Sequence, residues 1–272
     1  FRRVLFRSPQ YPDISYGRQT AGTRGSLAFD PEGYFVTPTP EGANEVVPAP
    51  HPLFGDHALA RVDLTISSVD LAAMNANVWD ETLRRGTLRW RQGNLDVTYA
   101  DVGIRYRGNS TRSSPKKSWY VSFNTFVPRG DLFGMEKLNL NAEPNDPSSL
   151  RSKLMNDFAS AAGLPSAWEN HVVLFVNGQF TALLQNTQPI DDVFVERHFG
   201  SDRGNLYKCL YPADLGYRPS GDYQNVTGTG GNGAARPAYE LDYSGGGAAD
   251  YADLASFIQT LNNTASGSFA AE

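Results

Sequence analysis

Asn177-Gly178 separates two apolar-rich runs, His171 to Val176 and Gln179 to Leu184, and no other feature restricts the fold of this chain as sharply. Both central positions of a two-residue hairpin turn need φ > 0, which Asn and Gly adopt at little cost, and such a turn joins antiparallel neighbours. An antiparallel strand pair is therefore expected here, and strand signals lie on either side of it. Ala60 to Ile66 alternates apolar and polar residues, the period of a half-buried strand. Thr87 to Trp90 and Leu95 to Tyr99 flank Gln92-Gly93-Asn94, a second hairpin signal, and Val102 to Tyr106 predicts a further strand. Trp119, Val121 and Phe123 alternate with Tyr120, Ser122 and Asn124, while Leu138 with Leu140, and Asn205 to Lys208, mark two short strands.

One helix is fully punctuated. Asp146 stands as N-cap and Pro147 at the first position; Leu150, Leu154, Phe158 and Ala162 form one apolar stripe, and Gly163 and Pro165 form the stop. Shorter helices are predicted from Ser67 with Leu71, Met74 and Val78 on one face, and over Asp191 to Phe199. A last one, Asp250 to Leu261, carries Leu254, Phe257, Ile258 and Leu261 on one stripe. Tyr211 to Ala238 reads as a Gly-rich excursion without a core. Strands, one capped helix, two more strands and a connector make an α+β pattern. That order fits the small lobe of a protein kinase, a twisted antiparallel sheet braced by one helix before a hinge; other α+β domains fit it equally well.

The chain is long enough, at 272 residues of which 40% are hydrophobic, to bury a sizeable core. Residues 1–52 are rich in Pro, Gly, Thr and Asn and read as a linker, and residues 53–272 as the folded domain. Within the linker, Ser15 to Phe35 resembles the exit strand of small extracellular β-sandwich domains of the lamin-tail type. Phe1 in place of an initiator Met, and an end at Glu272 in mid-pattern, read as cuts in a longer protein. A net charge of −5 spread along the chain gives no reason to expect nucleic acid or an acidic membrane as partner. No run approaches the ~20 apolar residues of a membrane-spanning helix. The single cysteine, Cys209, rules out an internal disulfide and is expected to be a buried small hydrophobe. Low Cys with high Asn, Gly, Thr and Tyr fits an exported bacterial surface protein.

Chemistry concentrates in the turn between the strands ending near Tyr106 and beginning near Trp119. Arg107-Gly108-Asn109-Ser110-Thr111-Arg112 and Ser113-Ser114-Pro115-Lys116-Lys117 offer many backbone N–H and hydroxyl donors together with four cations. A polyphosphate requires such donors of a strand-loop-strand clamp. The alternative is a solvated hairpin whose Ser and Thr satisfy their own backbone and whose lysines keep an edge soluble.

The blocks RGNST…PKKSWYVSF, LNLNAEPNDPSSLRSKLMNDFASAAGLP, VVLFVNGQFTALLQNTQPID and GNLYK occur in this order over residues 101 to 208 and resemble the CotH kinase family in sequence and spacing. The resemblance implies an atypical protein kinase fold that binds ATP and Mg²⁺ and phosphorylates Ser or Thr of partner proteins, among them spore coat proteins. It implies that Asn109, Ser110 and Thr111 lie over the phosphates beside Arg107, and that Lys116 or Lys117 is the phosphate-facing lysine. Arg151, Lys153 and Asp157 would stand where a kinase helix contributes an orienting ion pair, with an ordinary surface pair of Lys153 and Asp157 as the alternative. Gln188 and Ile190 would form the adenine hinge, and Lys208 would contact nucleotide or substrate. Two departures remove charge: Tyr120 to Phe123 lacks a basic residue common in the family, and Gln185 to Gln188 lacks an acidic one. The carboxylates for base work and metal binding are expected beyond Glu272, so no residue here is assigned as a metal ligand. The competing readings are a non-catalytic surface or adhesion module with the same fold and, from the aromatic content, a carbohydrate-binding domain.

Overall fold

The computed structural model describes residues 51–56, 58–109, 111–200, 203–244 and 251–264. Residues 1–50 of the linker expected over 1–52, with the β-sandwich remnant expected in it, lie outside the described residues, as does Ser110. No described helix is long and apolar enough to cross a membrane.

The chain runs β1 (Ala60–Ile66), α1 (Ser68–Ala76), β2 (Arg84–Gln92), β3 (Leu95–Arg107), β4 (Ser118–Ser122), β5 (Lys137–Asn141), α2 (Arg151–Ala161), β6 (Glu169–Val176), β7 (Gln179–Thr187), α3 (Asp192–Phe199), β8 (Asn205–Cys209), β9 (Thr227–Thr229), β10 (Ala235–Pro237), β11 (Tyr239–Ser244) and α4 (Ala252–Asn263). This is an α+β fold. Seven strands form one mixed sheet in the order β1-β2-β3-β4-β5-β7-β6, closed into a barrel. The expectation of a purely antiparallel sheet is corrected at one seam: β1 and β6 pair in parallel, from Ala60 opposite Val172 to Leu64 opposite Val176. Closure leaves no strand edge of this sheet open. The Asn-Gly turn takes part in it. Asn177 and Gly178 have φ of 50° and 79° as the hairpin requires, and the Asn177 carboxamide oxygen accepts the Ile66 N–H at 2.9 Å while the Asn177 N–H donates to Leu64 O at 2.8 Å.

Alternation then sorts each strand. Val62, Leu64, Leu88, Trp90, Ile104, Val121, Leu138, Leu140, Leu174 and Leu184 are all buried inside the barrel. The two strands expected at Leu95–Tyr99 and Val102–Tyr106 are one, β3, whose register against β2 shifts between Gly86 and Leu88, with Asp101 at φ 59°. Past that bulge Val102, Ile104 and Tyr106 point inward, so Arg105 and Arg107 lie on the outer face.

The structure reverses the expectation for α2. Its apolar stripe is solvent-exposed, with Leu154 57% and Phe158 68% accessible. The helix instead packs through its polar side: Ser152 Oγ donates to the buried Glu169 carboxylate at 2.5 Å and Asn156 Nδ2 to its other oxygen at 2.7 Å. Asp146 does cap the helix, but from a turn upstream, accepting the Leu150 and Arg151 N–H groups at 2.9 and 2.8 Å. The Gly-rich excursion also holds a core. Tyr223 and Ala238 are buried with Tyr239, Leu254 and Ile258 in a second cluster beneath the β8–β11 pair and α4. Cys209, expected to be buried, is exposed at the end of β8.

Candidate functional site

A cleft of about 670 Å³ opens between the outer face of the barrel and the β8–β11 unit. Five cations line it: Arg105 and Arg107 from β3, Arg112 from the turn after it, Lys208 from β8 and Arg236 from β10. Trp79, Glu81, Glu240 and Asp242 complete most of the wall. The two β3 arginines share a face because they are two residues apart on a strand.

The cations are unequally satisfied. Glu81 bridges Arg105, at 2.8 Å, and Arg112. Arg112 is 6% exposed, its Nε donates to Gly108 O at 2.7 Å, and its Nη1 is buried with no hydrogen-bond partner. Arg107 donates to the Asn141 carboxamide oxygen, a neutral group, and no carboxylate among the described residues pairs with it. Burial first, and then the neighbouring Arg105, pushes its pKa down to about 10. Glu143, across the adjoining recess, offsets only part of this; a guanidinium removed from water without a close ion pair is costly, and an anion arriving beside it relieves that cost. Gly108 shapes the approach: its φ is +111°, and a Cβ there would sit 2.6 Å from Thr111 Oγ1, so the chain can turn here only with glycine.

Of the residues singled out in the sequence, Arg107, Asn109, Arg112 and Lys208 meet at this cleft. Thr111 faces an adjoining recess of about 280 Å³, shared with Arg107, Ser118, Asn141 and Glu143. The remaining ones are elsewhere. Lys117 Nζ donates to Arg112 O at 2.5 Å and lies over the Tyr106 ring, and Lys116, its pKa lowered by burial, is opposed by Glu143 and Asp146. Lys153 bridges Asp157 and Asp56, both at 2.8 Å, on the outside of α2, and Arg151 reaches Asp146 at 3.6 Å. Gln188 is buried; its side-chain oxygen accepts from Trp168 N and Arg197 Nη2, its backbone N–H donates to Trp168 O, and its Nε2 is buried with no hydrogen-bond partner. Ile190 is exposed.

Sequence reasoning missed Trp79, Glu81, Arg105 and Arg236. Arg105 was available from its two-residue spacing to Arg107; the others come from distant segments with no local signal. Among the described residues no three His, Cys, Asp or Glu side chains gather to hold a metal ion, so no step is assigned through magnesium.

A family model described as CotH kinase protein matches residues 104–272. The chain is also similar to the inner spore coat protein H of Bacillus subtilis (strain 168), 28% identical over 144 residues. That stretch covers 53% of this chain and 38% of the relative, so well under half of the relative's length is represented.

Proposed function

This chain belongs to the CotH kinase protein family, and from that premise we propose that it supplies the nucleotide-binding part of a kinase that transfers the γ-phosphate of ATP to Ser or Thr of surface or coat proteins. The barrel, with α2 beside it, acts as the small lobe, and the cleft against the β8–β11 unit takes the triphosphate. The observation that carries this reading is Arg107, a guanidinium set in the cleft wall with only a neutral carboxamide for a partner. Phosphoryl transfer relies on fixed positive charge around the transferring group, and the arginines of this wall supply it without reorganising. A coat or surface location is part of this reading, and the similarity to a spore coat protein supports it.

Calorimetry with ATP and Mg²⁺ tests the proposal. Saturable heat is expected, competed by ADP and by inorganic triphosphate and weakened as salt is raised. Absence of heat with both ATP and triphosphate would sink it. The second reading, a non-catalytic surface module, draws on the Gln185 to Gln188 stretch, where the family resemblance implies an acid: Gln185 there is fully buried and committed to Ser149 O and Ser152 Oγ. Binding of ATP without phosphate transfer to any Ser- or Thr-bearing protein would select it.

A further inference from the structure

The hairpin formed by β9 and β10 is a two-stranded sheet separate from the barrel. Each of its strands is three residues long, too short for stability of its own in water. Its connecting loop is nonetheless held in one shape. Gly230 N–H donates to Ala234 O at 2.8 Å, Gly233 N–H to Gly230 O at 2.9 Å, and Ala234 N–H to the Asn232 carboxamide at 3.1 Å. Gly230, Asn232, Ala234, Ala235 and Arg236 all line the cleft, so this loop forms a wall of it.

The tip is fastened across the cleft. Gly231 N–H donates to the Asn109 carboxamide oxygen at 2.7 Å, between residues 122 apart in the chain. The two backbones approach so closely that a Cβ on Gly231 would stand 2.1 Å from Asn109 O and 2.6 Å from Trp79 Cη2. Only glycine permits that contact. Asn109 thus spends its side-chain acceptor on the hairpin rather than on a ligand.

We infer that the β9–β10 hairpin is a cover over the cleft, and that Asn109 is a positioning residue that holds the cover shut through Gly231. The inference rests on the proposed phosphate site: with the clasp closed, Arg236 is held opposite Arg105 and Arg107 around the ligand, and ligand leaves when the clasp opens. Asn109 then positions Arg236 and encloses the anion without touching it.

The test has a ligand-free arm and a ligand-bound arm, both on this chain. In the ligand-free protein, hydrogen exchange at the Gly231 amide should be protected. Protection should be lost in Asn109→Ala and in Gly231→Ala, and kept in Asn109→Asp, which retains the acceptor. In the ligand-bound protein, fluorescent mant-ATP should leave Asn109→Ala and Gly231→Ala about three- to tenfold faster than wild type, the fold-change that one hydrogen bond is worth, with thermal midpoints nearly unchanged. An unprotected Gly231 amide in the wild type overturns the inference, as does a release rate indifferent to both alanine variants. If mant-ATP binds no variant, the phosphate reading fails while the exchange arm still decides the clasp.

Discussion

Arg107→Met should make the ligand-free protein more stable and the nucleotide complex weaker, a pairing that a purely structural arginine would not produce. Burial and Arg105 push the Arg107 pKa down to about 10, well below the ordinary guanidinium range. At about 1.4 kcal/mol per tenfold in the protonation equilibrium, that is a penalty on the order of 3 kcal/mol on the charged form. The direction of the linkage follows from the depressed pKa of a base. At neutral pH the group is charged in both folded and unfolded states, so the penalty is present in full and is relieved only as pH rises past about 10. Methionine keeps an unbranched apolar stem, though a shorter one, and removes the charge. It also forfeits the hydrogen bond to Asn141, worth about 1 kcal/mol, and residual contact with solvent at the cleft mouth reduces the gain further. A net stabilisation of about 1 kcal/mol remains, or roughly 2–4 °C in Tm for a domain of this size. Affinity for ATP should fall about 10- to 100-fold, the worth of one charge-assisted hydrogen bond. Differential scanning fluorimetry with a parallel titration measures both. A Tm that drops by several degrees, with ATP affinity unchanged, would show that Arg107 holds the barrel together and not a ligand.

Three further outcomes follow from the same structure. The pair Lys116→Ala and Lys117→Ala should leave ATP affinity within about threefold of wild type, since neither lysine reaches the cleft and screened charges at a distance contribute little; a large loss would move the phosphate site to the far end of the turn. Phe158→Ser should change the unfolding free energy from urea melts by less than about 0.5 kcal/mol because the ring is already in solvent, whereas Leu174→Ala in the barrel should cost about 2–5 kcal/mol. Burial raises the pKa of Glu169, so the folded protein binds an extra proton between the unfolded value and the raised one, and stability should decline as pH climbs through that window. Glu169→Gln should flatten this decline, which urea melts from pH 4 to 8 would reveal.

What the sequence disclosed, and what it withheld, divides by distance along the chain. The period-two strands were legible because the barrel has a dry inside and a wet outside, so residues such as Leu88 and Trp90, or Ile104 and Tyr106, record the fold two at a time. The parallel seam was not, because nothing local in Ala60–Ile66 says which strand a hundred residues later will lie beside it. α2 shows how a strong local pattern misleads. Its Leu150, Leu154, Phe158 spacing predicts a core face, yet the surface it meets is polar, with Glu169 and Gln185 facing Ser152 and Asn156, and pairing those buried groups outweighs covering the stripe. The cleft divides in the same way. Glycine and serine density marked the turn after β3, and the charge of Arg107 was visible within it. Which cations of that turn line the cleft, however, depends on Arg112 O and Tyr106 capturing Lys117, and which loop meets the turn depends on a glycine 122 residues away. A turn rich in donors marks where an anion could be gripped; the other groups lining the cleft are set by the packing of the β8–β11 unit, and Gly231 acquires its meaning only beside Asn109.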